Sequence, residues 1–91
     1  VSDLSPHETV ERELAIIKVE IPEEKRPEVI QIVEVFRGKI VDVGTRALTL
    51  EITGDEEKIN AMVTLLKSYK VREIVRTGRV AMKRGSKSTY K

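Results

Sequence analysis

The chain carries the same apolar pattern twice, and this internal repeat limits the folds that it can adopt. Two stripes with helical spacing lie 30 residues apart: Val29, Ile32, Val33 and Phe36, then Ile59, Met62, Val63 and Leu66. Two alternating stretches precede them, 31 residues apart: Ile17, Val19 and Ile21, then Leu48, Leu50 and Ile52. Apolar residues at i, i+3, i+4 and i+7 indicate an amphipathic helix, and strict alternation indicates a half-buried strand. The sequence therefore predicts strand, helix and strand, twice in succession.

Local signals set the ends of these elements. The first strand is predicted over residues 10–21 and stops at Pro22. Gly38 is placed to end the first helix, because glycine readily adopts the left-handed conformation found at helix ends. Residues 44–46 form a tight turn, which joins the second and third strands as an antiparallel hairpin. Asp55 is the predicted N-cap of the second helix.

The order of these elements predicts a ferredoxin-like fold. A last extended segment over 71–77 continues past Gly78 through 80–82 and completes the second unit. With right-handed crossovers, the first and third strands become central neighbours and both helices cover one face of the sheet. We therefore expect an α+β two-layer sandwich, β-α-β-β-α-β, with a four-stranded antiparallel sheet within residues 10–84. Residues 85–91 lack periodicity and are predicted to be a disordered tail.

Size and composition exclude several classes of protein. A chain of 91 residues allows one small domain, and folding buries roughly 60–65% of the surface of so short a chain, so its stability is expected to be modest or shared with a partner. The absence of cysteine excludes disulfides, thiolate metal sites and a cysteine nucleophile. No apolar run approaches the roughly 20 residues of a membrane helix and no secretory leader is visible, which favours a cytoplasmic protein. Because the first residue is valine, we interpret the chain as a fragment or a processed product.

The side chains needed for catalysis are missing or have a structural explanation. His7 is the only histidine and lies in the polar segment before the first strand, where we expect it to be exposed. Adjacent carboxylates at 23–24 and 55–57 fall at predicted helix starts, where they offset the helix dipole and cap free N–H groups. The five glycines stand singly, so they form no phosphate-binding loop. We therefore predict a chain that is not an enzyme and has no metal or cofactor site.

Nucleic-acid binding is the next class, because RNA-recognition modules stack bases on aromatic side chains of their central strands. The aromatic residues here are Phe36, Tyr69 and Tyr90, and none lies on a predicted central strand. Phosphate contacts remain open to four basic residues: Arg76, Arg79, Lys83 and Arg84. A nucleic-acid-binding module and a small-molecule-sensing module therefore stay as alternatives to a role in protein assembly.

Two sequence features point to a protein partner. If Ala15 and Ile17 face the helices, then Leu14 and Ile16 point outward on a central strand, where another chain, or a covering loop, would bury them. Charge is also uneven, since residues 1–69 hold nine basic and fourteen acidic side chains while 70–91 hold eight basic ones against a single glutamate. Such a basic segment is typical of a site for a polyanion or an acidic protein, or else of a solvated terminal strand and tail.

Four strings carry a resemblance to a known family. They are VERELAIIKV at 10–19, VFRGKIVDV at 35–43, ITGDEEKI at 52–59 and RTGRVAMKRG at 76–85. In this order and spacing they closely resemble the C-terminal domain of the small, regulatory subunit of acetolactate synthase, also called acetohydroxyacid synthase. The resemblance covers about residues 1–85, nearly the whole chain.

The resemblance implies a non-catalytic role in branched-chain amino-acid biosynthesis. In that family the small subunit binds a catalytic large subunit that uses thiamine diphosphate, FAD and magnesium, raises its activity and confers feedback inhibition, typically by valine. The usual small subunit begins with an ACT domain that holds the amino acid. Residues 1–9 are then interpreted as the linker from a missing ACT domain, and direct valine sensing by this chain is not expected.

The resemblance, taken together with the outward-facing pair on the first strand and the basic segment, suggests residues for a contact role. We expect the chain to form a homodimer or higher homo-oligomer and to supply part of the contact with the large subunit. The residues predicted to contact partners are Leu14, Ile16, Arg76, Thr77 and Arg79. Asp42 is a further possibility on the open face of the sheet, and a solvated aspartate explains it equally well.

Overall fold

The computed structural model describes residues 9–85, and its elements follow the predicted order. The strands are β1 (Thr9–Glu20), β2 (Lys39–Val43), β3 (Ala47–Gly54), β4 (Lys70–Arg76) and β5 (Val80–Lys83). A 3-10 turn (Glu23–Lys25) leads into α1 (Arg26–Val35), and α2 (Glu56–Leu66) follows β3. The predicted linker up to residue 8, with His7, and the predicted tail beyond residue 85 lie outside the described residues.

β1 is the central strand of an antiparallel sheet with the order β2-β3-β1-β4. Its register places Ile17 opposite Leu50 of β3 on one side and opposite Ile74 of β4 on the other. The prediction that the first and third strands are central neighbours is therefore confirmed. The turn after β2 is also as predicted, because the Gly44 N–H donates to the Ala47 carbonyl at 2.8 Å.

Both helices pack on one face of this sheet and form the core with it. Alternate residues of β1 are buried there, and so are the helical stripes that repeat along the sequence. The core consists of Ala15, Ile17, Val19, Ile21, Val29, Val33, Leu48, Leu50, Ile52, Ile59, Met62 and Leu66. Asp55 caps α2 as predicted, since its Oδ1 accepts a hydrogen bond from the Lys58 N–H at 2.8 Å. The ferredoxin-like α+β architecture expected from the sequence is confirmed.

The structure corrects the number of strands from four to five. Gly78 adopts a left-handed conformation, with φ of +83°, which interrupts the last extended segment. Pairing with β1 shifts by one residue across this interruption, from Ala15 opposite Arg76 to Arg12 opposite Val80. β5 therefore continues along the same edge of β1 as a separate strand.

The first third of β1 and β5 form a two-stranded extension, which we call the ribbon: Thr9–Arg12 paired with Val80–Lys83. β3 reaches only as far as Glu13 along β1, so within residues 9–85 the ribbon has no third strand. The radius of gyration, 16.1 Å, exceeds the roughly 12 Å typical of a compact domain of this size, as an extension of this kind requires.

The end of α1 differs from the prediction. Arg37, not Gly38, takes the left-handed conformation, with φ of +56°, and the Gly38 N–H donates to the Val33 carbonyl at 2.8 Å. Glycine is needed at position 38 for another reason, because a Cβ there would lie 2.8 Å from the backbone oxygen of Glu51. Gly38 thus allows β2 to approach β3 closely rather than turning the chain.

Candidate protein–protein interface

The face of the sheet opposite the helices carries an apolar patch made of Leu14, Ile16 and Val75, which we call the sheet patch. Ile16 is 39% exposed and Val75 is 55% exposed, and the two lie directly opposite each other in the register of β1 and β4. Leu14 is half-buried two residues along the same strand. The predicted outward orientation of Leu14 and Ile16 is confirmed, since Ala15 and Ile17 between and beside them are fully buried.

Charged and polar side chains surround the sheet patch. Lys18 and Glu73 form an exposed ion pair at 4.0 Å beside Ile16. Together with Asp42 and Thr49 they line a shallow depression of about 350 Å³, whose apolar wall is formed by Ile16 and Val75. Asp42 thus reaches the open face, as the sequence suggested, next to the sheet patch. An apolar centre with a polar rim is the usual anatomy of a protein interface.

Thr77 holds the interrupted edge strand against Leu14. Its backbone N–H donates to the Leu14 carbonyl at 3.0 Å, and its hydroxyl oxygen accepts a hydrogen bond from the Leu14 N–H at 3.1 Å. The same hydroxyl donates to the Gly78 carbonyl at 2.9 Å. Thr77 therefore lies beside the sheet patch, but its hydrogen-bonding groups are already used within the chain.

Arg76 points to the opposite side of the sheet. Its guanidinium donates to Glu13 Oε1 at 2.5 Å and to Asn60 Oδ1 of α2 at 2.8 Å. Glu13 is only 8% exposed, and the hydrogen bond that it accepts raises the pKa of Arg76 above its usual value. Arg76 therefore joins β1, β4 and α2 as a permanent cation.

Arg79 immediately precedes β5 and pairs with Glu11 at 3.3 Å. Because side chains alternate along β1, Glu11 lies on the same side as Glu13, away from the sheet patch. The structure thus brings Leu14, Ile16 and Thr77 together on the open face and places Arg76 and Arg79 on the other side. The five residues selected from the sequence do not form one surface.

Sequence reasoning missed an extension of the apolar surface onto the ribbon. Val80 is 67% exposed and Met82 is 75% exposed. Met82 lies opposite Val10 and Val80 lies opposite Arg12, so both side chains belong to the face that carries Leu14. The signal was the alternation of Val80, Ala81 and Met82, which has the period of a strand with one apolar face.

A basic cleft lies at the far end of β1, away from the ribbon. It has a volume of about 400 Å³, with Lys25, Arg46 and Lys70 at its rim and the buried Ile21 in its wall. Glu20 offsets part of this charge, because it pairs with Lys70 at 3.9 Å and also with Arg72 at 2.8 Å. This cleft is the place where a small organic anion would bind if the chain sensed one.

The described residues offer little for other kinds of site. Within residues 9–85 no three histidine, cysteine, aspartate or glutamate side chains come close enough to hold a metal ion. No helix in the same range is long and apolar enough to cross a membrane. Tyr69 is the one aromatic residue near the cleft, and its hydroxyl donates to Glu28 Oε1 at 2.7 Å, which raises the pKa of Tyr69.

Comparison with known proteins gives one family. The profile described as the small subunit of acetolactate synthase matches residues 12–85. The acetolactate synthase small subunit of Aquifex aeolicus is 56% identical over 85 residues, which are 92% of this chain and 44% of that protein. A probable acetolactate synthase small subunit of Methanothermobacter thermautotrophicus is 52% identical over 97% of this chain and 53% of its own length.

A solved structure agrees with these sequence matches. The crystal structure of the acetolactate synthase small subunit from Thermotoga maritima superimposes with a TM-score of 0.84 at 49% identity, covering 92% of this chain and 52% of that one. The chain spans about half the length of these two curated relatives.

Proposed function

The chain belongs to the family of acetolactate synthase small subunits, and from this premise we propose that it is a regulatory domain that assembles with the catalytic large subunit of that enzyme. Its role would be to support assembly and feedback regulation in the biosynthesis of valine, leucine and isoleucine. The observation that carries the proposal is the exposed sheet patch on a chain of this family. A contiguous apolar patch with a polar rim is typical of a surface that contacts another protein.

Catalysis, in this proposal, belongs to the large subunit together with thiamine diphosphate, FAD and magnesium. The chemistry of the chain's described residues supports this division. Three pairs of titratable side chains contact each other within the domain. They are the ion pairs Glu13–Arg76 and Glu20–Arg72 and the hydrogen bond from Tyr69 to Glu28, and we interpret all three as structural. The chain would therefore change the rate of its partner and contribute no reacting group.

The sheet patch is proposed as a contact with a second protein chain. Ile16 and Val75 provide its apolar centre, and Lys18, Glu73 and Asp42 provide a polar rim of both signs. The contact is either with the large subunit or with a second copy in a homodimer or larger oligomer. Coupling to regulation requires that this contact differ between the active and inhibited states of the assembly.

Residues 1–9 are proposed as the linker from an ACT domain, and the valine site is proposed to lie in that domain. The relatives from Aquifex aeolicus and Methanothermobacter thermautotrophicus are about twice as long as this chain, which leaves room for another domain of similar size. The proposed compartment is the cytoplasm, or the stroma or matrix of an organelle in a eukaryote.

The test is acetolactate formation by the cognate large subunit, with and without this chain and with and without valine. Light scattering follows complex formation in the same mixtures. We expect co-elution or a change in rate, without valine sensitivity from this chain alone. Neither binding nor a change in rate, for this chain and also for the natural full-length small subunit, would overturn the assembly role.

Two further measurements separate the alternatives. A nucleic-acid-binding module would bind an oligonucleotide with a steep dependence on salt. A sensor of amino acids would gain thermal stability from valine, leucine or isoleucine, and the basic cleft with Arg46 at its rim is where variants should then abolish the gain. An assembly domain shows neither effect.

A further inference from the structure

The ribbon has no supporting layer within residues 9–85. All four residues of β5 are exposed, and β5 pairs only with the first third of β1. A two-stranded ribbon is marginally stable in water, because it has no third strand or helix to pack on. Thr77 nevertheless fixes the ribbon to the sheet through two hydrogen bonds to Leu14. A surface from another chain would complete the packing of the ribbon.

One face of the ribbon continues the open face of the sheet, which is the face opposite the helices. Val80 lies opposite Arg12 in the register, and Met82 lies opposite Val10. Because side chains alternate along a strand, these four lie on the same side as Leu14. Val80 and Met82 are 67% and 75% exposed. An exposed apolar stripe therefore runs from the ribbon into the sheet patch.

A two-fold axis that crosses β1 at Leu14, at a right angle to the strand, matches the open face with itself. Two sheets then stack face to face with their β1 strands antiparallel, and each residue meets the one that lies equally far beyond Leu14. Ile16 lies over Arg12 of the second copy, since both are two residues from Leu14. Their neighbours in the strand pairing, Val75 and Val80, face each other in the same way. Stacked sheets cross at about 30°, so these positions close to the axis keep the match best.

The same rotation brings opposite charges together. Glu51 is half-buried on β3 opposite Ile16, so it would lie beside Arg12 of the second copy. Arg12 donates from Nη1 to the Glu11 carbonyl at 2.7 Å, which leaves its positive charge unneutralised. Neither Arg12 nor Glu51 belongs to the ion pairs found within residues 9–85. A face that complements itself in both apolar and charged positions favours a second copy of the chain as its partner.

The open face is also large enough for a dimer. With strands about 4.8 Å apart and about 3.4 Å per residue, its four-stranded part measures roughly 27 by 19 Å and the ribbon adds roughly 14 by 10 Å. This flat area of about 650 Å² per copy approaches the 800 Å² or so that each partner buries in a standard stable interface. The ribbon of each copy would cover the depression of about 350 Å³ beside Ile16 of the other.

We propose that the open face joins two copies of the chain in a two-fold dimer, with the ribbon of each copy lying across the sheet patch of the other. This inference rests on the proposed use of the sheet patch as a protein contact, and it names a second copy as the chain that makes the contact. The catalytic large subunit would then bind another surface of the assembly.

The first experiment is sedimentation velocity of this chain over a range of concentrations, with no large subunit present. The double variant Val75→Thr/Val80→Thr removes the two apolar side chains that face each other and keeps β-branched residues, which favour strands. The matched control, Val35→Thr/Val43→Thr, makes the same exchange outside the proposed contact, at side chains that are 72% and 62% exposed. Melting temperatures establish that the variants fold.

We expect a dimer for wild type, and we expect the apolar variant to raise the Kd of this dimer at least tenfold, because each substitution acts twice in a two-fold contact. The control should stay within about twofold of wild type. A loss of the dimer in the control would place the contact on the helix side and overturn the proposal.

A charge exchange tests the register of the dimer. Arg12→Glu and Glu51→Arg should each weaken the dimer, because each places like charges opposite each other, and the double variant should restore it. In one copy these two positions are four residues apart along β1, about 13 Å, so a rescue reports the contact between copies. The rescue also decides the matter if the apolar variant does not fold. Two single variants that weaken the dimer without rescue would refute the register.

Cross-linking provides a second measure of the geometry. The chain has no cysteine, so Thr53→Cys adds a single thiol beside Leu14, close to the proposed axis. A short bismaleimide should join two copies of Thr53→Cys and leave the control Val35→Cys, on the helices, largely unlinked. The opposite pattern would assign the contact to the helices and overturn the proposal.

The remaining outcomes separate this inference from the proposed function. A wild-type chain that stays monomeric at about 1 mM would refute the dimer. If the large subunit binds that monomer, and Val75→Thr/Val80→Thr weakens this binding, the open face belongs to the large subunit and the proposed function stands. A dimer that shows the expected rescue but does not bind the large subunit would support this inference and overturn the proposed function.

Discussion

Replacing Arg76 with methionine should destabilise the domain far more than the same change at a surface arginine. The Arg76 guanidinium bridges Glu13 of β1 and Asn60 of α2 at 2.5 and 2.8 Å. Methionine keeps an apolar stem of similar length and removes both hydrogen bonds. The Glu13 side chain, only 9% exposed, then loses its cation while remaining largely out of water.

The size of the effect follows from the exposure of the pair. A hydrogen bond to a charged group contributes about 1.5–3 kcal/mol, and breaking a fully buried ion pair costs about 3–5 kcal/mol. The Arg76 side chain is 31% exposed, so solvent screens part of the interaction. We therefore expect a loss of about 2 kcal/mol in the free energy of unfolding. In a domain of this size that loss lowers the melting temperature by about 8–16 °C.

The assay is urea unfolding of wild type, Arg76→Met and the matched control Arg79→Met. Arg79 also pairs with a glutamate, but at 3.3 Å and with 58% of its side chain exposed, so its removal should cost less than about 1 kcal/mol. Adding Glu13→Gln to wild type and to Arg76→Met completes a double-mutant cycle, which isolates the coupling between the two side chains.

A loss at Arg76 no larger than that at Arg79 would refute this reasoning. A coupling energy near zero in the cycle would also refute it, because it would mean that the interaction between Glu13 and Arg76 does not stabilise the fold. Either result would leave the side chain of Arg76 free to act at an interface.

Three further changes test other parts of the structure. Met62→Ala should cost about 2–4 kcal/mol of unfolding free energy in urea titrations, because a fully buried side chain of the core is truncated. Thr77→Val should cost about 1 kcal/mol and speed amide hydrogen exchange in the ribbon, since the Leu14 N–H loses its acceptor. The hydrogen bond to Glu28 raises the pKa of Tyr69 above its ordinary 10.0, so it stabilises the fold below pH 10 and this contribution is lost as pH rises through the folded-state pKa. The melting temperature of Tyr69→Phe should accordingly fall less steeply than that of wild type above pH 10.

The fold could be predicted because its two halves repeat an unambiguous pattern. Alternation along β1 placed Ala15 and Ile17 in the core, and burial confirms it. The fifth strand could not be predicted, because it depends on the conformation of Gly78, and a glycine in an extended segment adopts either sign of φ. The role of Gly38 could not be predicted either, because it depends on how closely the backbone of Glu51 approaches from another strand.

The orientation of the candidate residues was harder to predict than their location. Ile74 and Val75 are both apolar, so alternation along β4 does not reveal which of them faces the helices. The register between β1 and β4 also shifts between Lys18 and Val19, which allows Val71 and Ile74 to face the same side although they are three residues apart. Only the paired structure therefore shows that Arg76 faces the helices.

Adjacent residues in the segment 76–79 thus serve different purposes, and this governs how its variants must be interpreted. Arg76 stabilises the core and Thr77 fixes the ribbon to β1, so both have their polar groups engaged within the chain. Binding energy for a partner has to come from side chains that remain exposed, which include Val80 and Met82 just after this segment. A loss of assembly in a variant of Arg76 would therefore reflect lost stability unless its melting temperature were unchanged. Met82 is 75% exposed, so a loss of assembly in a variant of Met82 would show that this side chain contacts the partner.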